Sequence, residues 1–185
     1  MRLARRHLLT LGLAAPLAGL RAAPAAAQAS LDKPLALPAD PNAVILRWTS
    51  GGGMLPTLDA DALLIHANGA YSARAKPGEQ RRRSGRLEAQ ALQDLLAWII
   101  EQQGFARLSG EALLAEIQGI VARSGRLFRV MDGGEMAVEV DLPGLQHRVS
   151  LAALDAAFLR FPEVDGLRRL HAIKQRLLSL ADSAR

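Results

Sequence analysis

The chain of 185 residues contains no cysteine. That excludes disulfides, thiolate metal sites, a cysteine nucleophile and a lipid-bearing cysteine anchor, so the fold must rest on its core alone. Aromatic residues make up 4 % of the chain, with Tyr71 the single tyrosine, so that core is expected to be aliphatic. Histidine is scarce as well. Beyond residue 29 the chain has only His66, His147 and His171, none two or four positions from another, and there is no His-Glu-x-x-His pattern. The spacing that a zinc site built on one helix or strand requires is therefore missing. A Gly-x-Ser-x-Gly elbow is missing too, and with it the signature of an α/β-hydrolase nucleophile.

Charge of one sign is missing where it first seems abundant. The full chain carries +5, but residues 1–29 hold four of the 23 basic residues and none of the 18 acidic ones. Residues 30–185 thus hold 19 basic and 18 acidic residues, a net of +1. A nucleic-acid role inferred from overall charge would rest on residues 1–29, and none is expected.

Those 29 residues read as a cleavable export signal. Arg2, Arg5 and Arg6 form a basic start, and Leu8–Leu20 is an apolar run of 13 residues, too short for a good membrane span. Ala27-Gln28-Ala29 gives the small-x-small cleavage pattern, so cleavage is expected near Ala29–Ser30. Arg5-Arg6 followed by His7-Leu8-Leu9 resembles a bacterial twin-arginine signal, with Ala4 standing where Ser or Thr is usual. The resemblance implies a periplasmic or secreted protein with no membrane span after cleavage. The twin-arginine route carries folded cargo.

Residues 30–42 hold three prolines and read as an extended leader. Residues 43–185 suit a single α+β domain. Its most secure element is a helix over 87–103, where Leu92, Leu95, Leu96 and Ile99 repeat on one face. Gly104 is placed to end it in a left-handed conformation, with Phe105 folding back. A strand over Val44–Thr49 precedes it. A hairpin follows that strand, with Asp61–Ala67 and Ala70–Lys76 flanking Asn68-Gly69, the type I′ signal. Lys76 to Arg86 reads as a basic connection into the helix.

After the helix, Ser109 can cap a short helix over Glu111–Gln118. Leu127–Met131, Glu135–Asp141 and Leu145–Leu151 read as a three-stranded meander, turning at Asp132-Gly133-Gly134 and at Pro143-Gly144, the latter a type II turn. Met136, Val138 and Val140 alternate inward, as do Leu145, His147, Val149 and Leu151. A short helix over Ser150–Arg160 and a last helix over 162–182, with Pro162 at its first position, complete the chain. The expected sheet is antiparallel, of about five or six strands, packed by the two main helices. The order also admits a duplicated βββα unit. The repeated Arg-Ser-Gly-Arg-Leu at 83–87 and 123–127 does not support one, because the first copy leads into a helix and the second into a strand.

Candidate chemistry is thin. Gly51-Gly52-Gly53 lacks the Lys-Ser/Thr pair of a phosphate loop, and Pro56 follows where a helix would have to start, so it reads as a loop or bulge, or else as a place of close backbone approach to a ligand. His147 shares a strand face with Leu145 and Val149, and a half-buried histidine bonded to backbone is its plain reading. The rival reading makes it a ligand or base. Arg74, Lys76, Arg81, Arg82, Arg83 and Arg86 oppose only Glu79, a net of +5 over 13 residues. Such a run is a solvated loop or an anion-binding surface.

Val44–Gly53, Leu63–Ser72 and Ser84–Ile100 together are loosely similar to small exported bacterial domains of unknown function: a strand ending in glycines, a hairpin with a glycine turn, a polar connection and a helix. No activity is implied by that resemblance, and no cofactor is expected. The leading expectation is a non-catalytic periplasmic accessory protein with a protein partner. Two alternatives stand beside it. One is a small enzyme or ligand-binding domain using His147 and the Gly51–Gly53 loop. The other is attachment to an anionic surface through Arg81–Arg86.

Overall fold

The computed structural model describes residues 34–51, 61–74, 81–130 and 133–185. The segment read as an export signal, with Arg5, Arg6, Ala27 and Ala29, lies outside them, as do Gly52, Gly53 and Lys76. The fold is α+β. Six strands form one antiparallel sheet: β1 (Val44–Gly51), β2 (Asp61–His66), β3 (Ala70–Arg74), β4 (Arg82–Arg86), β5 (Glu135–Leu142) and β6 (Leu145–Ala152). Their spatial order is β4-β3-β2-β1-β5-β6, with every pair antiparallel. The helices are α1 (Ala89–Ala97), α2 (Gly110–Ser124), α3 (Leu154–Arg160) and α4 (Asp165–Asp182).

The register assigns the two faces of the sheet. Leu46, Trp48, Leu63, Ile65, Tyr71, Ala73, Val138, Val140, Val149 and Leu151 are buried on one face. Leu92, Leu96 and Ile99 from α1 and its continuation, and Leu167, Leu170, Ile173 and Leu177 from α4, complete the same core. The α4 stripe thus runs through Ile173, not Lys174. The core contains no buried polar or charged residue among those described. The opposite face carries Arg47, Glu139 and Arg148 in one cross-strand row, with Arg148 within 3.4 Å of Glu139 and Arg47 within 3.3 Å of Asp61. These side chains are exposed or partly exposed, so each pair contributes about 0–1 kcal/mol and mainly keeps that face polar.

The central helix ends as its sequence predicts. After Ala97 the chain makes a π-turn over Trp98–Gln102, with Gln103 N–H bonding Trp98 carbonyl oxygen at 2.9 Å. Gly104 adopts φ +60°, and Phe105 is fully buried. Ser109 Oγ accepts from Ala112 N–H at 3.3 Å and caps α2. That helix runs past the expected Gln118 to Ser124, where Gly125 stops it at φ +67°.

Several expectations are corrected. The segment 81–86 is not merely a connection, because Arg82–Arg86 forms edge strand β4. Gly85 makes it possible. A Cβ there would lie 2.6 Å from Tyr71 Cε1 and closer still to Cζ and Oη, so the tyrosine ring lies across a position that only glycine leaves open. Residues 127–130 are not a strand. They lie along α3, with the Phe128 ring 5.2 Å from that of Phe161. The meander's third member is instead β1, which pairs with β5 from Leu46–Val140 to Gly51–Glu135. The strands therefore divide four and two about α1 and α2, not three and three, and no βββα unit repeats.

The Asn68-Gly69 hairpin is present with a different turn. Its loop has three residues, with Gly69 N–H bonding His66 carbonyl oxygen at 2.9 Å and only Gly69 at positive φ, so it is a three-residue loop and not type I′. Asn68 Oδ1 accepts from Ala70 N–H at 2.9 Å, and Gly69 carbonyl oxygen accepts from Leu87 N–H at 2.9 Å. Together these hold the loop against the entry to α1. Pro143-Gly144 joins β5 to β6 as expected, with Gly144 at φ +84°. Pro162 sits in the turn before α4, whose N-cap is Val164.

Candidate functional site

His147 lies on the core face of β6 opposite Val140. Its Nε2–H donates to Leu108 carbonyl oxygen at 2.8 Å, and its ring meets Phe105 edge-on at 5.2 Å between centroids. Both contacts tie β6 to the turn before α2. Gly51 closes β1 beside Glu135, which in turn pairs with Ala152. His147 is five residues from Ala152, so about 17 Å of strand separates the two ends. The sheet thus sets His147 and the start of the glycine loop at opposite ends.

Arg74 and Arg82 fall at the same end of the sheet as Gly51, and Arg86 at the other. Antiparallel pairing brings the end of β1, the start of β2, the end of β3 and the start of β4 to one end of the sheet. Arg74 and Arg82 are cross-strand neighbours there. Arg82 is engaged in holding the fold. It donates to Asp61 carbonyl oxygen at 2.9 Å, Ser72 carbonyl oxygen at 2.9 Å and Ser72 Oγ at 3.1 Å. Burial lowers the Arg82 guanidinium pKa below its ordinary value, Arg74 lowers it further, and Asp61 opposes both. Arg86 donates to Asn68 carbonyl oxygen at 2.9 Å. Arg81, Arg83 and Arg86 are exposed.

The three histidines do not meet. His66 Nδ1 is 2.7 Å from Asn42 carbonyl oxygen at the hairpin. His171 stacks on Phe158 at 4.1 Å and lies 3.5 Å from Asp155 Oδ1. Among the described residues no group of three His, Asp or Glu side chains is placed to hold a metal.

The clefts formed by described residues include three. One of about 530 Å³ lies between Pro38 and the Asp141–Gln146 turn. Another of about 280 Å³ lies beside Ser50, Glu135, Asp155 and Lys174. A third of about 320 Å³ runs between α1 and α4, over Leu87, Ala91, Leu95 and Leu180. None of these three clefts is lined by His147.

Two surface features escaped the sequence reading. Leu127 is 85 % exposed and Leu159 78 %. Arg126 reaches Arg160 carbonyl oxygen at 3.2 Å and pairs with Glu163, while Phe128 packs on Phe161, so the backbone at Leu127 runs beside the C-terminal end of α3, the helix that carries Leu159. Alternating Leu127 and Arg129 with Phe128 and Val130 resembles a half-buried strand in sequence, which hid this. The second feature is at β4. Tyr71 Oη lies 3.0 Å from Ser183 Oγ, and beyond it Arg185 exchanges two backbone hydrogen bonds with Ser84, both 3.1 Å. No periodic signal marks that contact.

No family model, curated protein or solved structure matches the chain. Among the described residues no helix is long and apolar enough to cross a membrane.

Proposed function

We propose that this chain is an exported periplasmic accessory protein that acts through contact with another protein and not by catalysis. The observation that carries this reading is the pair Leu127 and Leu159, the two most exposed large hydrophobic side chains among the described residues, well beyond Leu114, Val130 and Leu178. Single exposed leucines are ordinary. Two on neighbouring segments, with Val130 also exposed and Arg129 and Arg160 close to them in sequence, suit the anchor-and-rim pattern of an interaction surface. Full burial of a leucine contributes about 1.5–3 kcal/mol. Two such anchors are a useful share of a moderate affinity once the cost of association is set against them.

The test is site-specific photo-crosslinking in the source bacterium. A photoreactive residue at position 127 or 159 should give one discrete protein adduct, and the same residue at Gln118 on α2 should give none. Uncrosslinked protein at all three positions would overturn the reading. Export is tested separately. Replacing Arg5 and Arg6 with lysine should leave uncleaved precursor in the cytoplasm, and normal processing would exclude the twin-arginine route.

A further inference from the structure

The edge strand β4 is held in an unusual way. Ser84 exchanges both its N–H and its carbonyl oxygen with Arg185 at 3.1 Å each. A reciprocal exchange between two residues is the hydrogen-bonded pair of an antiparallel ladder. It fixes which way the strand's groups point. Ser84 faces outward, so its pair with Ser72 is the non-bonded kind, and the ladder to β3 runs through Tyr71–Gly85 and Ala73–Arg83. The bond from Leu87 N–H to Gly69 carbonyl oxygen continues the same alternation. By that alternation the backbone groups of Arg82 and Arg86 also turn outward. Arg185 meets one of three outward-facing residues.

We infer that β4 is an acceptor for an acidic, extended peptide segment of a partner protein, which adds antiparallel as a seventh strand and displaces Arg185. The inference goes beyond the function proposed above, since it concerns a different surface and names the partner's chemistry. Arg185 demonstrates that the edge accepts a backbone partner in this geometry. The occupant's charge follows from the sequence of the edge, because four of the six residues 81–86 are arginine and none is acidic. A second copy of this chain is disfavoured by the same charges. Two β4 strands paired antiparallel through Ser84 would set Arg82 against Arg86 of the other copy on one face, and like charges directly opposite are destabilising. A peptide with acidic side chains on alternate residues places them opposite Arg82 and Arg86 on one face and small residues over Gly85 on the other.

The probe is a fluorescein-labelled octapeptide of alternating glutamate and threonine, titrated into the mature protein and read by anisotropy. Three comparisons separate backbone pairing from charge. The same peptide N-methylated at alternate amides keeps its charge and loses its donors. A lysine-threonine peptide keeps the backbone and reverses the charge. Ser84→Pro removes the outward N–H at an edge position, where proline is tolerated. Saturable binding of the acidic peptide, about tenfold weaker or worse in each comparison, supports the inference. A chain shortened to residue 184 should bind about tenfold more tightly, because it loses the competing pair.

Equal binding of the N-methylated peptide would overturn the inference in favour of simple polyanion attraction. So would no binding of the acidic peptide, or a β4-mediated dimer in sedimentation that Ser84→Pro abolishes. Because the N-methylated peptide leaves the protein untouched, misfolding of a variant does not blunt the test. With the photoreactive residue at 127, Leu159→Ser should weaken the crosslink proposed above, and Leu159→Ser alone should leave this peptide's affinity unchanged, so the two surfaces succeed or fail separately.

Discussion

Replacing Gly85 with alanine tests the edge of the sheet most directly. A Cβ at position 85 would stand 2.6 Å from Tyr71 Cε1, with Cζ and Oη nearer still. The ring has little room to retreat. Tyr71 is 7 % exposed, and its Oη lies 3.0 Å from Ser183 Oγ. Inserting a methyl group into such a site costs about 1–3 kcal/mol through displaced side chains and backbone. Loss of the Tyr71–Ser183 hydrogen bond adds about 0.5–1.5 kcal/mol. Against this, alanine restrains the unfolded chain and returns about 0.4–1 kcal/mol. The net expectation is a loss of about 0.5–4 kcal/mol, centred on about 2. In a domain of this size each kcal/mol moves Tm by about 2–4 °C, so at that centre thermal unfolding should fall by roughly 4–8 °C.

A double-mutant cycle with Tyr71 is a stricter check than the single variant. In a Tyr71→Ala background the ring is gone, and Gly85→Ala should then be neutral or slightly stabilising. Calorimetry on the four proteins of this cycle gives the coupling directly. If Gly85→Ala costs the same with and without the Tyr71 ring, the clash is not the cause and the account of β4 is wrong.

Other perturbations address other contacts. Ser109→Ala removes the acceptor for Ala112 N–H and should cost about 1 kcal/mol in urea unfolding; an unchanged midpoint would show that the cap contributes nothing. Gln93 receives Leu35 N–H on Oε1 at 2.9 Å and returns a bond to Leu35 carbonyl oxygen at 3.1 Å, so Gln93→Ala should expose the Leu35 amide to rapid hydrogen exchange while α4 amides stay protected. Equal loss of protection in both places would make Gln93 a global contact. Asp165 has its pKa lowered first by its hydrogen bond from Arg168, with Arg169 adding to it. A depressed carboxylate contributes stability above its unfolded pKa of about 3.9 and loses it as pH falls through the lower folded value. The Tm of wild type should therefore fall more steeply than that of Asp165→Asn below about pH 4, and superimposable acid limbs would refute the link. Trp48 in β1 and Trp98 in the π-turn sit in the same core, so denaturation followed at each tryptophan alone should give coincident curves. Two separate transitions would mean that the domain is not one cooperative unit.

Legibility in the sequence followed the range of the interaction. Elements whose evidence is local were readable. Leu92, Leu95, Leu96 and Ile99 marked the buried face of α1, and Gly104 marked its end, because helical periodicity and the left-handed residue are both encoded within a few positions. Met136, Val138 and Val140 alternated because β5 has one core face and one polar face. The Pro143-Gly144 turn was readable for the same reason. The Asn68-Gly69 signal located its hairpin but not its turn, since the choice between a two-residue and a three-residue loop was made by Leu87 bonding to Gly69 from outside the hairpin.

The misreadings share one cause, which is that β-strands are defined by their neighbours. β4 has no hydrophobic alternation of its own. Its core-facing positions are Arg83 and Gly85, and the apolar cover at the latter is Tyr71 from β3. A window centred on Arg82–Arg86 sees three arginines, a serine and a glycine, the signature of a loop. The reverse error occurred at Leu127–Val130, where alternation was present and no strand partner was, because β5 already had β1 on that side. Central strand β1 was recognised as a strand, but its pairing with β5, some 90 residues away, left no trace in either segment. The candidate surfaces inherit this division. His147 was singled out because one residue type in one strand face is a local observation, and the structure gives its Nε2 a backbone partner in Leu108. Leu127 with Leu159, and Arg185 on Ser84, are juxtapositions of distant segments, so composition and periodicity could not have produced them. In a chain without a catalytic motif, the surfaces worth testing are those that tertiary contact alone creates.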